Sequence, residues 1–405
     1  MKNRLKTLLF SSLFAVSSAH AKDIVHDAEY NFIKAQHAEK WAKEDKEVDK
    51  KLADIRKKNN GNRPNILYVL IDDVSFGQMG NRAMNYVTGI KTPNINQLAD
   101  EGMSLMRMYT EPSCTPTRAA MLTGRHPVRS GLKEVKVALV GEGLPASEVT
   151  IAEVLSQAGY KTSHVGKWHQ GDIEQSYPHN QGFDYAAFPL HQQVQLSLMT
   201  GETADAFNMM GWDTTTQSNE FNLDSKFRPS GLVTGVEAVK GGKAKEVDLK
   251  PGEKWTQAHY VEMNYRYQRQ TVEQLQKLAK GDDPFFLQYW PLWPLNFVND
   301  GEQNVSRNGG FHAEKLQKLD GMLGELFKEL DTLGIADNTL VLFFSDNGGA
   351  AYATGGADNV PLRGGKGETW EGGIRVVSLL RWPARLAPGQ RMDQIMTAMD
   401  VFPTL

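Results

Sequence analysis

Residues 64–73 read Pro64-Asn65-Ile66-Leu67-Tyr68-Val69-Leu70-Ile71-Asp72-Asp73. A continuous apolar run of this kind is what a strand buried on both faces looks like, and such strands belong to mainly parallel sheets. Phe285-Phe286-Leu287 and Leu340-Val341-Leu342-Phe343-Phe344 are runs of the same type. Helix signals fall between them. Thr92-Pro93 opens a helix that Gly102 closes, and Thr150 with Glu153 makes a capping box for a helix ending near Gly159. Longer helices are expected near Gln257–Lys280 and His312–Leu333. Strand and helix in alternation predict an α/β fold with a mixed, mostly parallel central sheet flanked by helices.

The chain has 405 residues, enough for one large α/β domain with a sizeable core or two modest domains. Its formal net charge of −3 argues against nucleic acid as a main partner, since phosphate binding wants a basic surplus. A single cysteine excludes an intramolecular disulfide and any cysteine-based zinc cluster.

Residues 1–21 read as a signal peptide. Lys2, Arg4 and Lys6 form the basic start, Leu8 to Val16 the apolar core and Ala19-His20-Ala21 the cleavage site. The expected mature protein is therefore exported to a bacterial periplasm, with no membrane contact after signal cleavage. Residues 22–62 are a charged helical extension. Trp41, Val48, Leu52 and Ile55 share one stripe, read as a solvated helix packed on the domain surface, with a partner-binding arm as the alternative. Residues 63–405 form the expected catalytic domain, with a polar, loop-rich insertion at about 190–252.

In an open α/β sheet ligands bind beyond the carboxyl ends of the strands. Two of the apolar runs end there in acids: the first in Asp72-Asp73, the second in Ser345-Asp346-Asn347-Gly348-Gly349. Three carboxylates and an amide at one sheet edge would repel unless a cation neutralised them. Oxygen ligands alone suit Ca²⁺, or less well Mg²⁺.

Between the acids lies Cys114-Thr115-Pro116-Thr117-Arg118-Ala119-Ala120-Met121-Leu122-Thr123-Gly124-Arg125. Pro116 suits the first turn of a helix, so Cys114 belongs at a helix N-terminus, where unpaired N–H groups attract anions. Arg118, about a turn further on, could fork two hydrogen bonds onto a tetrahedral oxyanion. A cysteine-dependent phosphatase loop would want arginine six positions after the cysteine, and that position is Ala120.

Cys-x-Pro-x-Arg followed by Leu-Thr-Gly-Arg resembles the signature of the formylglycine-dependent (type I) sulfatases of the alkaline phosphatase superfamily. Four further blocks follow that family's order. Asp72-Asp73 and Asp346-Asn347 resemble its calcium ligands, Gly166-Lys167-Trp168-His169 its Gly-Lys-Trp-His segment, and Leu362 to Val376 its late lysine motif around Lys366. The resemblance spans residues 63–405 and implies an alkaline phosphatase-like fold.

It further implies that a maturation enzyme converts Cys114 to 3-oxoalanine (formylglycine), which hydrates to a geminal diol. One hydroxyl, held by Ca²⁺ together with Asp72, Asp73, Asp346 and Asn347, would attack sulfur in line. Arg118, Lys167 and Lys366 would hold the equatorial oxygens. His169 would then deprotonate the second hydroxyl, so that sulfate leaves and the aldehyde returns. Arg125 and His126 are read as structural supports.

Two departures stand out. Family members carry a histidine after the strand at Phe285-Phe286 that protonates the leaving alcohol; here the text is Tyr289-Trp290-Pro291-Leu292-Trp293-Pro294-Leu295-Asn296-Phe297, with Leu295 or Asn296 at that position. An acidic leaving group, another residue such as His191, or lowered activity would each accommodate this. Tyr289, Trp290 and Trp293 could line a substrate pocket or pack under the sheet edge. Secondly, the family continues beyond Asp400-Val401-Phe402-Pro403-Thr404-Leu405 into a small C-terminal subdomain, which is expected to be missing. The reading is a calcium-dependent sulfuric ester hydrolase acting on aryl or carbohydrate sulfates. The alternatives are a phosphodiester or phosphonate ester hydrolase on the same scaffold, or a non-catalytic binder of sulfated glycans.

Overall fold

The computed structural model describes residues 26, 28–59, 61–136, 141–189, 235–247, 257–294, 310–350 and 357–405. The signal-peptide reading, most of the 190–252 insertion, His191, Leu295 and Asn296 lie outside them.

Among the described residues ten strands form one sheet: β1 (Asn65–Ile71), β2 (Met103–Tyr109), β3 (Lys161–Gly166), β4 (Tyr185–Phe188), β5 (Val236–Val239), β6 (Lys245–Glu246), β7 (Phe285–Trp290), β8 (Thr339–Ser345), β9 (Ser378–Arg381) and β10 (Gln390–Thr397). They lie in the order β10-β2-β9-β8-β1-β7-β3-β4-β5-β6. Within it β8, β1, β7, β3 and β4 run parallel, while β9 and β5 oppose their neighbours. The mixed, mostly parallel sheet expected from the apolar runs is what forms. β5 and β6 correct one expectation: the end of the presumed loop insertion extends the sheet by two strands.

Alternate residues of β1 feed two cores. Leu67, Val69 and Ile71 pack with Tyr260, Met263, Leu316, Leu323 and Leu326 of the long helices Gln257–Leu278 and Gly310–Thr332. Ile66, Tyr68 and Leu70 pack on the other face with Met121 and Leu122 of the helix Cys114–Thr123 and Ile151 and Leu155 of the helix Ile151–Gln157. Both faces are dry, which is why the run needs no polar alternation.

The capping box at Thr150 and Glu153 is present in both directions, and Pro93 occupies the first turn of the helix Pro93–Glu101. The N-terminal helix runs over Ala28–Lys58 with no buried residue. Its stripe is less covered than expected, with Val48 51% and Leu52 44% exposed. Glu29 near its start pairs with Arg125 and Arg129. Thr397 and Asp400 cap each other ahead of the short helix Val401–Thr404.

Candidate active site

The register Ile71↔Ser345 sets the ends of β1 and β8 side by side. Asp72-Asp73 and Asp346-Asn347 therefore emerge together, and Asp346 N donates to Ile71 O at 3.1 Å. Asp73 sits at φ 58°, a left-handed conformation that non-glycine residues adopt at a cost. Its N–H donates to Asp346 Oδ1 at 3.2 Å, and the next N–H, of Val74, to Ser345 Oγ at 2.9 Å.

The helix Cys114–Thr123 begins after Ser113, an extended N-cap, and ends at Gly124 in the left-handed region. Every residue of it is buried. Cys114 and Arg118 are four apart and so share one face. That face meets the acids: Cys114 Sγ is 3.9 Å from Asp73 Oδ1. Arg118 donates from Nε and Nη2 to Asp346 Oδ2 at 3.0 and 2.7 Å, and from Nη2 to Asp72 Oδ1 at 3.2 Å. The guanidinium fork is thus spent on two carboxylates instead of opening to an oxyanion, and Trp290 underlies it 4.8 Å away.

Lys167 follows β3. Gly166 before it has φ 106°, and a Cβ there would lie 1.9 Å from Trp290 O, so only glycine lets β3 leave the sheet at this point. Lys167 Nζ then crosses to Asp72 Oδ1 at 2.7 Å. His169, at φ 60°, has Nε2 2.9 Å from Lys136 O. A proton donated there makes Nδ1 the lone-pair nitrogen. Lys366 donates to Asp73 Oδ1 and Oδ2 at 2.7 and 2.8 Å and to Cys114 Sγ at 3.3 Å. Asp72, Asp73, Cys114, Arg118, Lys167, Asp346, Asn347 and Lys366 thus contact one another at this one sheet edge, and His169 follows two residues after Lys167.

Burial sets the protonation pattern. Asp72 is buried, yet Lys167, Lys366 and Arg118 together hold its carboxyl well below the usual range. Asp73 is raised, first by burial and despite Lys366. Asp346 is pushed up to about 7 by burial and by Asp72. Burial, with Asp346 and Asp72 adding to it, drives the Cys114 thiol far above its ordinary value. A thiol so placed is not ionised at neutral pH and is no nucleophile.

A divalent cation fits these residues. Oxygens of Asp72, Asp73 and Asp346 and the Sγ of Cys114 all lie within 4.8 Å of one another. Asn347 Nδ2 donates to Asp73 Oδ1 and Gly348 O, while its Oδ1 is buried without a hydrogen-bond partner among the described residues. Such an orphan acceptor beside crowded carboxylates is a hard oxygen donor for a cation. Three carboxylates already face three cations, so a further divalent charge would leave the pocket positive and suited to an anion.

Some supports were not legible in the sequence. His164 of β3 lies 3.1 Å from Gly166 O through Nε2 and 2.8 Å from Gln288 Nε2 through Nδ1, beneath the Lys167 turn. Gln170 Nε2 donates to Thr115 O, tying the His169 turn to the Cys114 helix. His164 stands among polar neighbours in Lys161-Thr162-Ser163-His164-Val165-Gly166, so nothing in the strand's letters marked it out. The aromatic residues are packing groups: Tyr289, Trp290 and Trp293 are buried. Arg125 pairs with Glu148, and His126 caps the short helix Pro127–Ser130.

The family model described as Sulfatase matches residues 64–405. Steryl-sulfatase of Rattus norvegicus is 33% identical over 402 residues, covering 85% of this chain and 67% of that protein. Human N-acetylgalactosamine-6-sulfatase is 30% identical over 358 residues, covering 84% and 61%. The crystal structure of the PsFucS1 sulfatase from Pseudoalteromonas sp. superposes with a TM-score of 0.72 at 31% identity, covering 89% of this chain and 70% of that one. The chain thus spans about two thirds of the length of these relatives.

Proposed function

Because this chain belongs to the sulfatase family, we propose that it hydrolyses sulfuric esters of aryl or carbohydrate alcohols at the Asp72–Cys114–Lys366 cluster. The observation that carries the reading is the buried Cys114 thiol, set 3.3 Å from Lys366 Nζ inside a three-carboxylate cluster. A thiol held protonated there has no chemistry of its own, and that favours its conversion to formylglycine by a maturation enzyme. Sγ then stands in for an oxygen of the modified side chain.

Asp72, Asp73, Asp346 and Asn347, with residue 114, would hold Ca²⁺, which supplies fixed positive charge where the sulfate oxygens gather it. The hydrated aldehyde supplies one hydroxyl to attack sulfur and a second to expel sulfate afterwards. Lys366 binds and orients from the open side of the cluster. Lys167 and Arg118 hold Asp72 and Asp346 in place and add their charge to the anion's surroundings. The Lys136 carbonyl fixes the His169 ring, so that one nitrogen can take up the proton of the second hydroxyl.

We further propose export from the cytoplasm, on the strength of residues 1–21. No helix among the described residues is long and apolar enough to cross a membrane.

The test is turnover by protein co-produced with a formylglycine-generating enzyme. Sulfate release from 4-nitrophenyl sulfate should exceed hydrolysis of the matching phosphate and phosphonate esters. A preference for the phosphonate overturns the reading in favour of the alternative hydrolase. Tight sulfate-ester binding without product, in aldehyde-bearing protein, favours a binder.

A further inference from the structure

His164 and Gln288 face each other across β3 and β7, and two residues on Gly166 faces Trp290. Both polar side chains are wholly buried. The rings of Trp168, Phe183 and Trp290 surround the imidazole, their centres 5.1, 5.5 and 5.4 Å from its own. An apolar pair would fill this place without desolvating a ring nitrogen and an amide. What the polar pair adds is the set of hydrogen bonds it fixes.

Those bonds have one consistent arrangement. Burial pushes the imidazole down to about 3, so the ring is neutral and carries one proton. Gly166 O can only accept, which puts that proton on Nε2, 3.1 Å away. Nδ1 is then the lone-pair nitrogen and accepts from Gln288 Nε2 at 2.8 Å. The amide holds the ring from behind while the ring presents a donor in front.

That donor meets the Gly166–Lys167 peptide, whose own N–H donates to Trp290 O at 2.8 Å. One peptide plane is thus tied at both ends, next to a glycine with no side chain to steady it. From this plane Lys167 Nζ reaches Asp72 Oδ1 at 2.7 Å, and Lys167 O accepts from Arg118 Nη1 at 3.4 Å. The imidazole also meets the Trp290 ring at 89°, and that ring underlies the Arg118 guanidinium. Two cations of the site therefore rest on one imidazole, Lys167 through the backbone and Arg118 through an indole. Being neutral, the ring adds no charge of its own.

On the sulfatase reading, we propose that His164 is a positioning residue: steadied by Gln288, it sets the Gly166–Lys167 peptide and the Trp290 ring, and so aims Lys167 at Asp72 and Arg118 at Asp346. It touches no reacting atom.

Two measurements test this. The first needs no turnover: amide hydrogen exchange at Lys167 relative to Leu67 of β1, in thiol-bearing protein. His164→Phe keeps a ring but donates nothing, and should raise that ratio about tenfold, the upper worth of one hydrogen bond. The second is kcat for 4-nitrophenyl sulfate in aldehyde-bearing protein, which the same variant should lower roughly 10- to 100-fold, the scale of misplaced groups around reacting atoms. His164→Gln, whose amide can put an N–H where Nε2–H stood, should restore most of both. Gln288→Leu keeps the donor but frees the ring from behind, so it should show a smaller loss of the same kind; it carries the test if His164→Phe does not fold. Leu155→Ala, in the same core layer, should lower the melting temperature while leaving the exchange ratio and kcat near those of the wild type.

An exchange ratio and kcat that move no further in His164→Phe than in Leu155→Ala, or no recovery in His164→Gln, overturn the positioning role. A wild type that releases sulfate from no ester overturns the sulfatase reading instead, and exchange at Lys167 still decides what His164 holds.

Discussion

Lys167 Nζ and Asp72 Oδ1, 95 positions apart in the chain, meet at 2.7 Å with both side chains wholly excluded from water. A charge in such a place is tolerable only while its partner remains. Lys167→Met should therefore destabilise the chain by about 3–5 kcal/mol in the absence of divalent ions, the cost of stranding a buried partner. Urea denaturation in chelator reads the loss directly. A change within error would mean that Lys366 and Arg118 suffice to neutralise Asp72.

Cys114→Ala and Cys114→Ser should abolish sulfate release while leaving the melting temperature close to that of the parent. The side chain is buried, but small, and both replacements fit its volume. Peptide mass spectrometry supplies the companion check: wild-type peptide should have exchanged sulfur for oxygen and lost two hydrogens. Full activity with an unaltered thiol would end the formylglycine reading.

Calcium should raise the melting temperature, because a ligand that binds only the folded chain stabilises it by about 2.7 kcal/mol at a hundredfold excess over Kd. Asp346→Asn should remove most of that shift, and Mg²⁺ should give less of it than Ca²⁺. Calorimetry on chelated protein returned to each ion decides it; identical curves with and without calcium would contradict the proposed centre.

Lys366→Ala should lower kcat by about 10²–10³, the scale of losing one preorganised contact to developing charge. Stopped assays at saturating 4-nitrophenyl sulfate measure it. A fall of less than twofold would remove Lys366 from the site.

Acid sensitivity should come partly from two histidines. Burial lowers His312 from 6.5 to about 4 and His164 from 6.5 to about 3. Both are neutral in the fold and protonate more readily when unfolded. Their contribution is therefore complete above pH 6.5 and is lost as pH falls toward 4 for His312 and toward 3 for His164, up to about 3 kcal/mol for His312. His312 Nε2 lies 3.1 Å from Gln78 Oε1, so His312→Gln retains a donor there. This variant should flatten the fall in denaturation free energy between pH 6.5 and 4. An unchanged slope would assign acid lability elsewhere.

The apolar run Ile66–Ile71 carried the sheet in its own letters, because a strand dry on both faces has no reason to include polar residues. The acids after β1 and β8 and the Cys114 helix were equally readable from strand ends and a first-turn proline, whereas Lys167, His169 and Lys366 were singled out only because their motifs resemble those of the sulfatases. What the letters could not carry is how these motifs meet. That Lys167 crosses behind β7 to Asp72, and that Arg118 spends its fork on Asp346, follows from strand order and register, which join residues dozens to hundreds of positions apart. The aromatic residues after β7 show the same limit: tryptophan suits a pocket wall and a core alike, and only packing put Trp290 under Arg118 and Trp293 against Tyr265. The left-handed turns at Asp73 and His169 are likewise tertiary decisions. Asp and His enter the left-handed region more readily than most side chains but still at a cost, which the surrounding contacts bear.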